Sequence, residues 1–424
     1  MAAFSVPSVL PAGAARRPVL LLSLGTFALG TDAFVISGVL PRIGQSLGVG
    51  LGAAGQLITI FAAVYALAAP VLAVLVGNWN RRRVLLLAMS VFIAANALAA
   101  AAPDYAVMVL ARVLAALAAA LFTPAASAAA ATLAEPAERG RALAAVLGGL
   151  TVANALGVPL GTLIGQTAGW RATLLFVAVV GLIALVGLAI TLESMPSPGV
   201  TSFAQRVAVA RIPGVLATLA ASALAMCGVF VLYGYLAWFA GRAAGVTGST
   251  LTVLYLVAGI TAVISNLAAG WLIDHLPATR VAAMGMAGLA ACTLGLAVLG
   301  ATGTNLVGLS LVLGLWSLIG WLFNPAQQQR LLAVSGPRGP IALSLNSSAI
   351  YAGQALAGGA GALALAHGPA VLALIAATAV ALALLALFTS TRQFAAAAAS
   401  PAELITANAD EGTSGVRRHD GLGR

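Results

Sequence analysis

Asp32 and Arg112 are the residues of this chain whose side chains could move or hold charge in an unusual place. Asp32 stands in GTDAFVISGVLP (30–41) and Arg112 in RVLAALAAALF (112–122), both inside long apolar runs. A charge carried deep into such a run costs about 3 kcal/mol or more unless it finds a partner or a watery cavity. A carboxylate there can take up and release a proton. A guanidinium keeps its charge and can hold the carboxylate as a counter-ion. Two readings follow. In one, Asp32 is a proton site whose ionisation is set by burial, by Arg112 and by a bound polar or cationic compound. In the other, the two charges form a structural pair that fixes how helices pack.

The elements that must position them are membrane helices. The chain has 424 residues, of which 62% are hydrophobic and 7% charged, against about a quarter charged in soluble proteins. Only helix bundles and closed barrels satisfy every backbone group inside a bilayer. Barrels alternate polarity over about ten residues, whereas the runs here are continuous and rich in Leu, Ala, Val and Gly. Twelve runs are read, at 19–40, 52–77, 84–102, 105–133, 142–167, 171–192, 212–239, 250–273, 280–300, 304–326, 340–366 and 369–390. The longest break, 193–211, divides them six and six. The expected organisation is a first six-helix bundle over 1–192, a cytoplasmic linker over 193–211, a second bundle over 212–392 and a disordered cytoplasmic tail over 393–424.

All 20 basic residues are arginine. Without a lysine the chain has neither a P-loop of the Walker type nor a Schiff-base amine. With the N-terminus inside, sixteen arginines fall on the inner side and three, Arg42, Arg171 and Arg242, on the outer side. This is the positive-inside pattern, so the net charge of +10 reports topology and gives no ground for nucleic-acid binding. Arg112 is the remaining arginine and Asp32 the matching acid. Each lies eight residues from the outer end of its run, about 12 Å deep, so an ion pair forms if the first and fourth spans are neighbours. Cys227, Cys292, His275 and His367 suggest no disulfide framework, metal site or catalytic role, and no cofactor is expected. No span carries the paired groups an intramembrane enzyme would need.

The fifth span reads GGLTVANALGVPLGTLIGQTAGW (148–170). Gly149, Gly157, Gly161 and Gly165 share one helical face, which admits close helix contact, and Pro159 removes a backbone hydrogen bond and kinks the helix. Such a helix suits a rocking or sealing surface between two halves, or ordinary tight packing. Candidate cavity groups are Tyr65, Asn154, Tyr233, Tyr235, Trp316, Asn324, Asn346, Tyr351 and Gln354. Each has a plainer role open to it, as an interfacial aromatic or as polar glue between helices.

With these pieces in view, the chain resembles the major facilitator superfamily, in its twelve-span drug:proton antiporter branch. The fifth span with its flanks, RGRALAAVLGGLTVANALGVPLGTLIGQTAGWRATL (139–174), is similar to that branch's antiporter signature. GTDAFVISGVLPRIGQSLGV (30–49), RVLAALAAALFTPAASA (112–128) and ALSLNSSAIYAGQALAGGAGA (342–362) resemble its first, fourth and eleventh helices. Chloramphenicol exporters and the related sugar, nucleoside and arabinose exporters are the most similar members. The resemblance implies an all-α fold of two six-helix bundles with a substrate cavity at the midplane, lined by helices one, four, seven and ten. It implies a part in proton coupling for Arg112, and so a proton-coupled exporter, monomeric, in a bacterial inner membrane with both termini cytoplasmic. Coupled import, or transport of sugars, nucleosides or other metabolites, stays open. The loop between helices two and three departs from the family pattern. Ala73 and Gly77 stand where a glycine and an acid belong, though Arg81, Arg82 and Arg83 remain. The equivalent loop of the second half keeps Gly270, Asp274 and Arg280, which leaves a latch to the neighbouring helix dipole there.

Overall fold

A computed structural model describes residues 15–136, 138–195 and 203–416, with side chains as far as 396. It is all-helical. Eleven helical stretches are long and apolar enough to cross a bilayer, and one of them, Leu306–His367, has 62 residues. At 1.5 Å per residue that is about 93 Å, three times the hydrocarbon thickness, so it holds two crossings. Gly336, at φ +49° and followed by Pro337, separates Phe323–Ser335 from Gly339–Ala364. The expected twelve spans are therefore present.

Spans one to six are Arg16–Ser46, Leu51–Leu75, Arg81–Ala101, Tyr105–Leu133, Arg139–Thr167 and Trp170–Thr191. Among the described residues, side-chain caps fix three helix starts. Asn80 accepts from the backbone amides of Arg82 and Arg83, Asp104 from that of Val107, and Asn305 from that of Gly308. Each satisfies amides that the first helical turn leaves open. The seventh span is Val215–Gly234 continued, after a break at Tyr235, by Leu236–Ala244. The eighth is Leu251–His275, the ninth Ala278–Thr302, and the tenth Leu306–Gly320 continued by Phe323–Ser335. The eleventh is Gly339–Ala364 and the last helix Pro369–Val416.

Two differences from the sequence reading concern the linker and the C-terminal segment. Residues 196–202 of the linker lie outside the described residues, and the rest includes a short helix, Phe203–Ala210. Its Arg206 is buried against the eleventh span, where Nη1 donates to Ser344 Oγ at 3.0 Å. The final helix continues across 393, where a disordered tail was expected to begin. The run Ala395–Ala399 is made of the strongest helix former, so nothing local stops the helix there.

Spans one to six pack on one another, as do seven to twelve. Large apolar side chains ring the outside, among them Ile190, Leu363 and Leu67 at 78%, 75% and 74% exposure. In water this belt would be an aggregation surface; in a bilayer it faces acyl chains. The halves meet along three lines. The second span packs on the eleventh, where Gly55 makes room for the Tyr235 ring and Gly358 for Thr59. The fifth packs on the eighth, and a Cβ at Gly259 would stand 2.5 Å from the Asn154 carbonyl oxygen. The first meets the seventh through stacked Phe34 and Phe230 rings, 5.7 Å between centroids. With the arginine-rich side inward, these contacts lie at mid-depth and above, so the molecule is closed on its outer side.

Candidate functional site: a buried ion pair beside the junction of the halves

Arg112 Nη1 donates to both oxygens of Asp32, at 2.8 and 2.9 Å, with the two side chains 2% and 0% exposed. The equal depths read from the sequence thus correspond to contact between the first and fourth spans. The guanidinium lies over the Phe61 ring, 4.4 Å from its centroid, a contact that favours a desolvated cation. Arg112 Nε and Nη2 have no acceptor. A buried donor without a partner costs about 1–3 kcal/mol, so these two N–H groups are places where a bound molecule with acceptor oxygens would gain.

Next to the pair the two halves touch through aromatics. Phe61 faces Tyr351 of the eleventh span at 6.3 Å, and Tyr65 stacks on Tyr351 at 3.7 Å with a 24° tilt. A change in the charge pair is therefore one side chain away from an inter-half contact. Sequence reading singled out both tyrosines; it missed Phe61, which has no signal other than its place one turn before Tyr65.

The helix that carries Asp32 is clamped to the fifth span. A Cβ at Gly149 would meet Thr26 and the Ser23 carbonyl, at Gly157 Thr31, at Gly161 Val35 and at Gly165 Val39. Ser23 Oγ donates to the Ala145 carbonyl at 2.5 Å and Thr26 Oγ1 to that of Val146 at 2.6 Å. The glycine face is thus a seam inside the first half, which agrees with tight packing rather than with a surface between halves. Small residues recur on both partners, so the backbones approach and hydroxyls reach carbonyls across the seam. The next face of the same helix meets the second half. There Pro159 has no amide to donate and its ring crowds the preceding turn, and the helix widens into a π turn, Ala153–Gly157. The turn carries Asn154, whose Oδ1 accepts from Tyr233 Oη at 3.0 Å. Tyr233 sits edge-on to both Phe230 and Tyr255.

The other cavity candidates divide. Tyr235 Oη donates to the Gly358 carbonyl at 2.7 Å, which ties the seventh span to the eleventh. Asn346 and Gln354 are buried on the eleventh span, with Asn346 Oδ1 and Gln354 Nε2 lacking partners. Asn324 is half-buried and accepts from Gln328 at 3.3 Å. Trp316 does not face a cavity: it is buried and donates from Nε1 to Thr293 Oγ1 at 3.0 Å, gluing the tenth span to the ninth.

Two further charges are buried, Arg206 of the linker helix at 7% exposure and Arg330. The tenth span extends past 326 to Ser335, which draws Arg330 inside at 4% exposure. Its guanidinium is held by neutral acceptors, Gln327 Oε1 at 2.5 Å and Ser390 Oγ at 2.6 Å. Arg112 is therefore not the one arginine within the bundle. In the loop between spans two and three, Asn80 Nδ2 donates to Ser194 Oγ at 2.7 Å and Arg82 Nη2 to the Ala189 carbonyl at 2.8 Å. That cluster is tied to the end of the sixth span. In the second half Asp274 and Arg280 are exposed, Gly270 faces open space, and the two charges form no ion pair in this conformation.

Twelve membrane spans in two packed sets, with a charge pair buried next to their junction, form the architecture of a membrane transporter. The family model described as Major Facilitator Superfamily matches residues 22–339, and the chain belongs to that superfamily. It is 31% identical to the uncharacterized MFS-type transporter YbcL of Bacillus subtilis, over 81% of this chain and 87% of that one. It is 36% identical to a chloramphenicol resistance protein of Streptomyces lividans, over 63% and 69%. It is 29% identical to the inner membrane transport protein YdhP of Escherichia coli, over 89% and 96%. Among solved structures, a bacterial homologue of the lysosomal transporter Spinster superposes with a TM-score of 0.72 at 18% identity, covering 90% of this chain and 98% of that one. The chain is a secondary transporter and not an enzyme.

Proposed function

We propose that this chain exports small amphipathic compounds, with chloramphenicol as the first to test, in exchange for protons. The observation that carries the reading is the Asp32–Arg112 pair, buried at 0% and 2% exposure with two guanidinium donors still open. When Asp32 is ionised it occupies Arg112 Nη1. When a proton from outside neutralises Asp32, the arginine loses its counter-ion and turns its donors elsewhere. While Asp32 is ionised, Arg112 Nε and Nη2 stay open to a neutral or monocationic substrate with acceptor oxygens; once protonation lets the arginine turn, that site is lost, so substrate binding and protonation oppose each other. The first span carries this change to the fifth through the glycine seam, and the fifth presents Asn154 to Tyr233 of the other half. The halves at 1–192 and 212–392 then act as bodies that rock about the site, with Gly270, Asp274 and Arg280 as a latch in the opposite state. Similarity to the Streptomyces lividans chloramphenicol resistance protein supports the substrate class, similarity to YdhP supports a bacterial inner membrane, and the arginine bias supports cytoplasmic termini.

The test uses everted vesicles with an acid interior and a pH-sensitive dye. Chloramphenicol, or one of a panel of dyes, nucleosides and sugars, should dissipate the gradient only when the chain is present. Dissipation by sugars or nucleosides alone would move the reading to metabolite export. Uptake driven in the opposite direction would replace export with import.

A further inference from the structure

The outer face holds a feature that the charge pair does not explain. A cavity of about 450 Å³ opens where the halves meet, lined from one half by Arg42, Gln45 and Gln166 and from the other by Trp238, Arg242 and Thr247. A second cavity shares Arg42 and Gln45 and ends on Trp170, over which the guanidinium of Arg171 lies at 4.2 Å. Two of the three outer arginines, Arg42 and Arg242, thus line one mouth, while Arg171 beside it donates to Ser46 Oγ and the Ala102 carbonyl. No carboxylate lines either cavity. Asp104, an acid of the outer loops, is engaged in capping the fourth span. Among the described residues the ion pairs are Arg112–Asp32 and Arg141–Glu138, so Arg42 and Arg242 have no carboxylate partner. Gln166 donates Nε2 to the Gly38 carbonyl at 3.3 Å, which holds the amide at the cavity wall.

Closing the outer side brings Arg42 and Arg242, from opposite halves, to one cavity. Like charges brought together oppose closure, and an anion between them reverses the sign. We propose that this mouth is an anion site, taking a phosphate or carboxylate group between Arg42 and Arg242, whose occupancy favours the outer-closed state. The amides of Gln45 and Gln166 offer further donors, and the Trp238 face accommodates an apolar substituent on the anion. Because the site forms only when the halves meet, an anion there stabilises the closed state and closure raises anion affinity by the same factor.

The test uses the full chain purified in neutral detergent and in nanodiscs. Thermal midpoints are followed while inorganic phosphate replaces chloride at constant ionic strength. A parallel arm compares nanodiscs of zwitterionic lipid with nanodiscs containing phosphatidylglycerol. A saturable rise in midpoint with phosphate identifies a soluble anion as occupant, and a rise with phosphatidylglycerol alone identifies the headgroup phosphate. In either arm R42Q and R242Q should each weaken the effect at least tenfold. R211Q, an exposed inner-face arginine of equal charge, should leave it intact. Both outer arginines are at least partly exposed, so glutamine there should fold, and the midpoint without anion checks this. No rise in either arm, or an equal rise in the R42Q/R242Q double variant, overturns the proposal.

Discussion

Replacing Arg112 by methionine should show how much the charge pair contributes and through which group. The substitution keeps volume and leaves the Asp32 carboxylate fully buried without a counter-ion, since Arg112 Nη1 is the donor to both of its oxygens. Breaking a buried pair by removing one partner costs about 3–5 kcal/mol. The carboxylate has an escape, because it can take a proton. Protonating an acid of ordinary pKa near 4 at pH 7 costs about 4 kcal/mol, which sets a ceiling on the loss. The expected destabilisation is therefore about 3–4 kcal/mol at pH 7, shrinking by about 1.4 kcal/mol per unit as pH falls toward 5. The sign follows from the folded variant binding the proton more tightly than the unfolded chain, so acid relieves the penalty. Asp32→Leu combined with Arg112→Met should lie near wild type, because neither charge is then stranded. The assay is thermal unfolding in detergent between pH 5 and pH 8. A loss below 1 kcal/mol for Arg112→Met, or a double variant as unstable as the two single losses summed, would refute the reasoning.

Other outcomes follow from the seams. Gly149→Ala should lose about 1–3 kcal/mol by overpacking against the Ser23 carbonyl and Thr26, whereas Gly148→Ala, with nothing near its Cβ position, should be neutral or slightly stabilising; thermal midpoints separate them. Tyr233→Phe removes the bond to Asn154 and should weaken outer closure by about 1 kcal/mol, read as faster labelling of a reporter cysteine in the outer cavity. The Cβ positions of Gly52 and Ala362 stand 3.7 Å apart across the halves, within disulfide range. A Gly52→Cys/Ala362→Cys pair, with Cys227 and Cys292 replaced, should stop transport when oxidised and recover it when reduced.

The sequence carried the span count and the equal depth of Asp32 and Arg112, because apolar length and depth are one-dimensional quantities; that the first and fourth spans are neighbours came from the structure. It could not say which face of the fifth span meets which neighbour. Four glycines on one face announce a close partner, but whether that partner is the first span or the other half depends on three-dimensional packing. Arg330 escaped because its span was ended at the polar run NPAQQQR, which continues the helix after Pro325 and turns its glutamine and arginine toward Thr218 and Ser390. Trp316 and Tyr235 looked like cavity aromatics. Their single polar atoms instead bond within the bundle, and nothing in residue type distinguishes the two uses.

The most direct test of the central claim compares two kinds of transport in Asp32→Asn. Asparagine keeps an acceptor for Arg112 and removes the exchangeable proton. Substrate counterflow between equal proton concentrations needs binding and rocking but no proton exchange, while gradient-driven accumulation needs all three. Asp32→Asn should retain counterflow and lose gradient-driven accumulation. Full gradient-driven transport in the variant would contradict that claim.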